Sequence, residues 1–287
     1  MNRAEFGVDT EKNKIIEKTL YLVATPIGNL SDFSERGVKV LSEVDFIAAE
    51  DTRVTAKLLS AFGISKPLVI YHEHNKISSG EQIIKRLTEG QSGALVTDAG
   101  TPAVSDPGED LVKRCIDNQI NVTAVPGACA AIAALTLSGF DTRSFVFEGF
   151  ISQTGKERRE RLDKLSSERR TVILYESPHN IARFLSELYS VFGNRRVAVC
   201  RELTKLNEEI IRCGLEAASR IYEEKEARGE FVVVLEGASD EDCFWENMTV
   251  LEHVNFYTGM SLSKMDAIKA AARDRGVSKN SIYKELL

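Results

Sequence analysis

The feature that most constrains this chain is a recurring pair: a short, β-branched apolar run, then a stretch with helical periodicity. The runs fall at residues 19–24 (TLYLVA), 45–49 (DFIAA), 68–71 (LVIY), 94–97 (ALVT) and 122–125 (VTAV). They are nearly unbroken rather than alternating, which suits strands covered on both faces and so a mostly parallel sheet. Between them, residues 34–44 place Val38, Leu41 and Val44 on one face, and residues 52–62 carry Val54, Leu58, Leu59 and Phe62. Residues 81–87 carry Ile83, Ile84 and Leu87, and residues 109–116 carry Leu111, Val112 and Cys115. Strand alternating with helix is the pattern of a wound α/β domain, here assigned to residues 19–138.

A second series follows at residues 139–238. Its strand candidates are residues 145–148, 171–175, 196–200, 209–212 and 231–235, with helical patterns at 156–165, 180–191 and 215–226. The connection at residues 201–208 is too short for a helical crossover, so this sheet is expected to be mixed. A length of 287 residues fits two such domains. Residues 1–18 are polar and read as a flexible leader, without the apolar core of a signal peptide. Residues 239–287 read as a small helical tail: a helix at 265–275, Gly276 as its stop, and Ser278 as the cap of a last helix. That order resembles a helix-turn-helix, with a helical cap or dimer contact as the alternative.

Three classes are disfavoured. No run approaches the roughly 20 apolar residues of a membrane span. Five cysteines, an odd number with no Cys-x-x-Cys pair, argue against a disulfide framework and suit a cytoplasmic protein. A net charge of −6 excludes a generally basic nucleic-acid coat, so contact with RNA has to come from a local patch.

The chemistry-bearing residues gather just after the first five strands: Thr25-Pro26-Ile27-Gly28, Glu50-Asp51-Thr52-Arg53, His72-Glu73-His74-Asn75, Asp98-Ala99-Gly100-Thr101-Pro102, and Pro126-Gly127-Ala128-Cys129-Ala130. Ligands of wound sheets bind outside the carboxyl ends of the strands, and glycine lets the backbone approach them closely. Neither a Gly-x-x-x-x-Gly-Lys-Ser/Thr loop nor a Gly-x-Gly-x-x-Gly turn is present, which points away from triphosphates and dinucleotides. His72 and His74 lack an evident third ligand and read as a polar strand end, so no metal is expected. Residues 156–170 (KERRERLDKLSSERR) carry seven cations among four acids. This is either a solvated helix or a phosphate-contacting patch through Lys156, Arg158, Arg159 and Arg161.

The ordered segments LYLVATPIGNL, IAAEDTR, YHEHN, VTDAGTPAVSDPG, FEGF, YESPH, RELTK and GEFVVVLEG span residues 19–237. By these the chain resembles the tetrapyrrole methylase superfamily, and within it the branch that modifies small-subunit ribosomal RNA. The resemblance implies two α/β domains, a parallel sheet then a mixed one, with S-adenosylmethionine held in the cleft between them. It implies a homodimer and 2′-O-methylation of a cytidine in the decoding region of 16S rRNA, and the partner expected is that RNA within the small ribosomal subunit, with free RNA as the alternative. Donor contacts carry over to Pro26, Gly28, Asp98, Gly100, Thr101, Val104, Ser105, Cys129, Ala130, Glu176 and Leu203. Lys205 joins the RNA contacts. A ribose hydroxyl needs a proton acceptor, for which Glu176 and His179 are the first candidates and Glu148 the next. Ala128-Cys129, Gln153-Thr154 and Asn180 depart from the family's pattern, the latter two sites by lacking positive charge.

Overall fold

The computed structural model describes residues 14–152, 154–225, 227–239 and 244–286. Residues 1–13 of the expected leader lie outside the described residues. The chain forms two compact units, Met1–Ala130 and Ala131–Leu287.

In the first unit the elements run β1 (Thr19–Val23), α1 (Glu35–Glu43), β2 (Phe46–Ala49), α2 (Thr52–Ala61), β3 (Leu68–Ile70), α3 (Lys76–Thr88), β4 (Gly93–Val96), α4 (Gly108–Asp117) and β5 (Asn121–Val125). The sheet order is β3-β2-β4-β1-β5, with every pairing parallel. Ser34 and Asp51 start α1 and α2 by accepting from the Gly37 and Arg53 amides, which satisfies donors the helix cannot. Val40, Leu41 and Leu59 of α1 and α2 pack on Tyr21, Val23, Ile47 and Val96. Ile83, Leu87, Leu111 and Cys115 of α3 and α4 pack on Leu20, Phe46, Ala48 and Leu95, the alternate side chains of the same strands. Helices therefore cover both faces, as the unbroken apolar runs require. The outermost strand β5 differs: Asn121 and Ala124 are exposed because one of its edges has no neighbour. Ahead of β1, Ile15 packs against the α1–α2 core and the Lys18 amide donates to Gln91 O at 3.1 Å.

The crossovers fix where this sheet opens. From β1 the chain passes over β4 to reach β2, whereas from β4 it passes over β1 to reach β5. Right-handed crossovers in opposite directions place α1 and α4 on opposite faces. The strand order therefore reverses between β4 and β1, the position at which such sheets leave a crevice.

The second unit contains α5 (Ala130–Ser138), β6 (Phe145–Phe150), α6 (Gly155–Leu165), β7 (Thr171–Glu176), α7 (Ile181–Phe192), β8 (Arg196–Arg201), β9 (Glu209–Gly214), α8 (Leu215–Glu224) and β10 (Phe231–Leu235). Its sheet runs β6-β7-β10-β8-β9, with β6–β7 parallel and the other three pairings antiparallel. This is the mixed sheet expected, and β8–β9 is the antiparallel pair that the short connection demands. Leu162, Phe184, Leu188, Leu215 and Tyr222 close over Val172, Leu174, Val199 and Val233.

The tail adds α9 (Val250–Gly259), α10 (Lys264–Asp274) and α11 (Lys279–Glu285). Val250, Val254, Ala267, Ile268, Ala271 and Ile282 form its core. Beside that core His253 is fully buried: Arg275 Nε donates to its Nδ1 at 3.1 Å, and its Nε2 lies 3.2 Å from Asp274 Oδ2. Tyr257 donates to the same carboxylate, and the Trp245 ring stacks on the imidazole at 5.7 Å. An arginine donating to Nδ1 fixes the neutral imidazole with the proton on Nε2. Burial, reinforced by Arg275 against the pull of Asp274, holds its pKa below the ordinary 6.5.

A depressed histidine pKa contributes stability above the unfolded value and loses it as pH falls towards the folded one. We therefore expect the tail to loosen on acidification below about pH 6.5. Trp245 is the one tryptophan of the chain, so its emission should red-shift and quench in that window, and His253→Leu should abolish the dependence.

Candidate functional site

Parallel pairing brings all five strand ends of the first unit to one edge. The loops after β4, β1 and β5 are neighbours there, and backbone bonds join them. Thr25 N donates to Gly100 O at 2.9 Å and Gly100 N to Thr25 O at 3.1 Å. Thr25 Oγ1 donates to Thr97 O at 3.2 Å, and Thr101 Oγ1 to Ala128 O at 3.0 Å. Gly100 needs its hydrogen: φ is +88°, a left-handed conformation. Gly127 needs its own because a Cβ would stand 3.0 Å from that of Ala24.

The loop after β4 is strained. Ala103 and Ser105 sit at φ 65° and 61°, at about 1–2 kcal/mol each for residues with a Cβ. Asp106 holds them. Its two oxygens accept from Ala103 N at 2.9 Å, and Oδ1 also accepts from Gly108 N at 2.7 Å. Burial raises the Asp106 carboxyl pKa in opposition to these donors. The sequence reading noted Asp106 beside the candidate turns but not among the donor contacts, although an Asp before Pro-Gly is itself a turn signal.

The same edge is acidic. Glu50 accepts from Thr97 Oγ1 at 3.2 Å and Asp98 from the Asp51 amide at 3.2 Å. Burial and the nearby Asp98 charge raise Glu50, and burial raises Asp98. Asp51 is held at about 2 by its Arg53 partner. Sequence reasoning singled out Glu50 among the residues after the second strand but did not count it as a donor contact. Pro26, Gly28, Asp98, Gly100, Thr101, Val104, Ser105, Cys129 and Ala130 all fall on the three joined loops, with Gly28, Asp98, Val104 and Ser105 exposed. His72 and His74 meet edge to face at 5.8 Å. Among the described residues no group of three or more His, Cys, Asp and Glu could hold a metal ion.

In the second unit, β6, β7 and β8 end at one edge, where β10 begins: Phe231 pairs with Glu176 on one side and Arg201 on the other. The FEGF, ESPH and RELTK segments therefore converge. Glu176 is 5 % exposed and accepts from Ser177 N at 2.7 Å. His179 is exposed and lines a cleft of about 660 Å³ with Tyr222, Lys225, Arg228 and Gly229. No hydrogen bond joins His179 to Glu176. Leu203 is buried between two residues of left-handed backbone, Glu202 at φ 52° and Thr204 at φ 66°. Lys205 lies between Glu202 and Glu230, at 2.7 and 3.0 Å. Asn180 caps nothing with its side chain; its Nδ2 donates to Ser177 Oγ.

The basic helix α6 corrects one expectation. Arg158 is turned inward and 6 % exposed, where it pairs with Glu187 at 2.7 Å, donates to Ser152 O and covers the Phe184 ring. It anchors α6 to α7 and is not a phosphate contact, because its donors are spent inside the unit. Arg161 pairs with Glu148, whose side chain is 6 % exposed, and Lys156 pairs with Glu160. Arg159 is exposed.

An all-parallel sheet open at its strand reversal, followed by a mixed sheet, is the architecture of a class of α/β methyltransferases. A solved structure of a diphthine synthase shares the fold, with a TM-score of 0.61 at 17 % identity over 76 % of this chain and 90 % of that one. The family model for tetrapyrrole (corrin/porphyrin) methylases matches residues 19–219, and the chain belongs to that family and is a methyltransferase. Two relatives carry the name ribosomal RNA small subunit methyltransferase I. The one from Halalkalibacterium halodurans is 47 % identical over 92 % of this chain and 93 % of its own. The one from Bacillus subtilis is 45 % identical over 92 % of each.

Asp106→Ala strands two buried amides and a strained turn. We expect a loss of about 1–3 kcal/mol in urea unfolding, and a smaller loss for Asp106→Asn, which keeps one acceptor.

Proposed function

We propose that this methyltransferase takes its methyl group from S-adenosylmethionine and places it on the 2′-oxygen of a cytidine in the decoding region of 16S rRNA. The observation that carries the reading is the 47 % identity, over 92 % of the chain, to a relative named for small-subunit ribosomal RNA. The site chemistry supports the donor. S-adenosylmethionine supplies a methyl group already activated on a sulfonium, and so is cationic at the reacting end. Glu50, half-buried, and Asp98, exposed, give the first unit's edge the opposite charge. The joined loops expose backbone around Gly28, Val104 and Ser105 without phosphate-binding glycines, which suits a nucleoside without a pyrophosphate. Gly100 and Thr101 hold those loops together, and Pro26, Cys129 and Ala130 are proposed to contact the donor from them.

On the acceptor side, Glu176 and His179 are proposed to receive the ribose proton. Glu148 is committed to Arg161 and drops behind them. Phe150, 59 % exposed and 5.4 Å from the Tyr175 ring, offers a face on which a base can stack. No metal is assigned a part. We further infer a homodimer working on the small ribosomal subunit in the cytoplasm. The four described cysteines are free, in keeping with a reducing compartment. No described helix is long and apolar enough to cross a membrane.

The test is tritiated methyl transfer to small subunits from cells lacking this protein, with nuclease mapping of the label. We expect label in one 16S cytidine that resists alkaline cleavage. Donor binding without label would send the acceptor assignment back to small molecules. Glu176→Gln and His179→Ala should each lower turnover by roughly 10²–10⁴ if they act as proton acceptors; donor affinity should stay unchanged in His179→Ala, whereas Glu176, also a proposed donor contact, should lose some of it. Full turnover in both would remove them from that role.

A further inference from the structure

The proposed substrate is a polyanion, yet the cations first expected to meet it are largely committed: Arg158 is buried, and Arg161, Lys156 and Lys205 are ion-paired. Arg159 alone of these cations is exposed with no ion pair among the described residues, and a further concentration of positive charge lies in the tail. Residues 261–287 carry six Lys and Arg against three Asp and Glu, a net +3, which leaves −9 on the rest of a chain whose total is −6.

Within this segment α11 is held by one face only. Ile282 is buried and Leu286 packs beside it, against Ala267, Ile268 and Ala271. The spacing i, i+4 puts those two on one side. Lys279, Asn280, Tyr283 and Lys284, at i, i+1, i+4 and i+5, form a stripe on the other side, and all four are exposed, Tyr283 by 49 %. Among the described residues no carboxylate pairs with Lys264, Lys279 or Lys284. Gly276, at φ 64°, turns the chain from α10 into α11, and Ser278 caps α11 by accepting from Ser281 N at 3.2 Å. The pair is thus a helix-turn-helix whose second helix shows a basic stripe with an aromatic ring inside it.

We propose that this face of α11 is a docking surface for the ribosomal RNA substrate. Lys279 and Lys284 contact backbone phosphates, and Tyr283 stacks on an unpaired base. This rests on the rRNA reading above. Stacking on a base outside a duplex suits RNA, whose paired major groove is too deep and narrow for side chains to read.

The experiment compares the full-length protein with Lys279→Glu/Lys284→Glu, Lys279→Arg/Lys284→Arg, Tyr283→Ala and Tyr283→Phe. Isolated small ribosomal subunits and naked 16S rRNA are the probes, in filter binding across a potassium chloride series. Donor affinity, Trp245 emission and oligomeric state are read in the same samples. We expect charge reversal to weaken binding at least tenfold and to flatten the log–log salt slope by roughly 1–2. The arginine pair should restore both, and donor affinity and Trp245 emission should not change. Tyr283→Ala should weaken binding about tenfold, and Tyr283→Phe should not. Parental affinity and slope in the reversed variant, while the parent still labels 16S rRNA, would overturn the docking surface alone. An altered oligomeric state with unchanged RNA affinity would also overturn it, in favour of a protein contact. A parent that binds neither probe would overturn it together with the rRNA reading.

Discussion

The parallel pairing of β1 with β4 is the contact on which the rest of the first unit depends. Leu20, Tyr21 and Leu22 stand in register with Gly93, Ala94 and Leu95. Because the two strands send their crossovers in opposite directions, no helix can close over the seam at their carboxyl ends. The loops then meet one another instead, and the Thr25–Gly100 backbone pair extends the sheet's hydrogen bonding past its last residue. Packing on the sheet's faces makes the same demand: at Gly93 a Cβ would stand 2.5 Å from a Phe46 ring carbon. The seam's geometry is fixed from below by van der Waals contact and from above by hydrogen bonds, which leaves little freedom in where the acidic groups sit.

Both units use one device at their strand ends. Residues with side chains are held in left-handed backbone, and carboxylates in or beside the turn accept backbone amides. In the first unit the strained residues are Ala103 and Ser105 and the carboxylate is Asp106. In the second they are Glu202 and Thr204, where Glu202 accepts from Glu230 N and Glu208 from Thr204 N. Strained backbone of this kind persists where the surroundings over-determine it, and such places cluster at ligand sites. The tail spends its buried polar groups differently. Asp274, His253, Arg275 and Tyr257 satisfy one another within a single network, which ties α9 to the end of α10 beside a seven-residue apolar core.

Much of this was legible in the sequence because two periodicities carry it. Unbroken runs such as FIAA at β2 state that both faces are covered, and the short gap between β8 and β9 states that the pair is antiparallel. The elements that were missed lack such signals. α5 is apolar all round (AAIAALTLS), so it shows no helical face. α9 does carry a signal, the Thr249–Glu252 capping box, but its aromatic residues mask the period. The candidate loops could be located from their Pro and Gly residues. The partners could not: nothing in KERRERLDK distinguishes Arg158, buried on Glu187, from its exposed neighbour Arg159. Glu50 and Asp106 look like ordinary turn acids until the fold places one against Thr97 and the other beneath Ala103.

The strain at Ala103 and Ser105 also bears on how the folding free energy is distributed. Stability is not uniform across a protein, and segments with exposed backbone and costly torsions open at a small fraction of the global free energy. The loop after β4 combines costly torsions at Ala103 and Ser105 with exposed residues, and follows a strand that is fully buried. A molecule bound there contributes its binding energy to a local folding equilibrium. The methyl donor proposed for this edge would therefore also act as a structural part of the protein, present only while the reaction is under way.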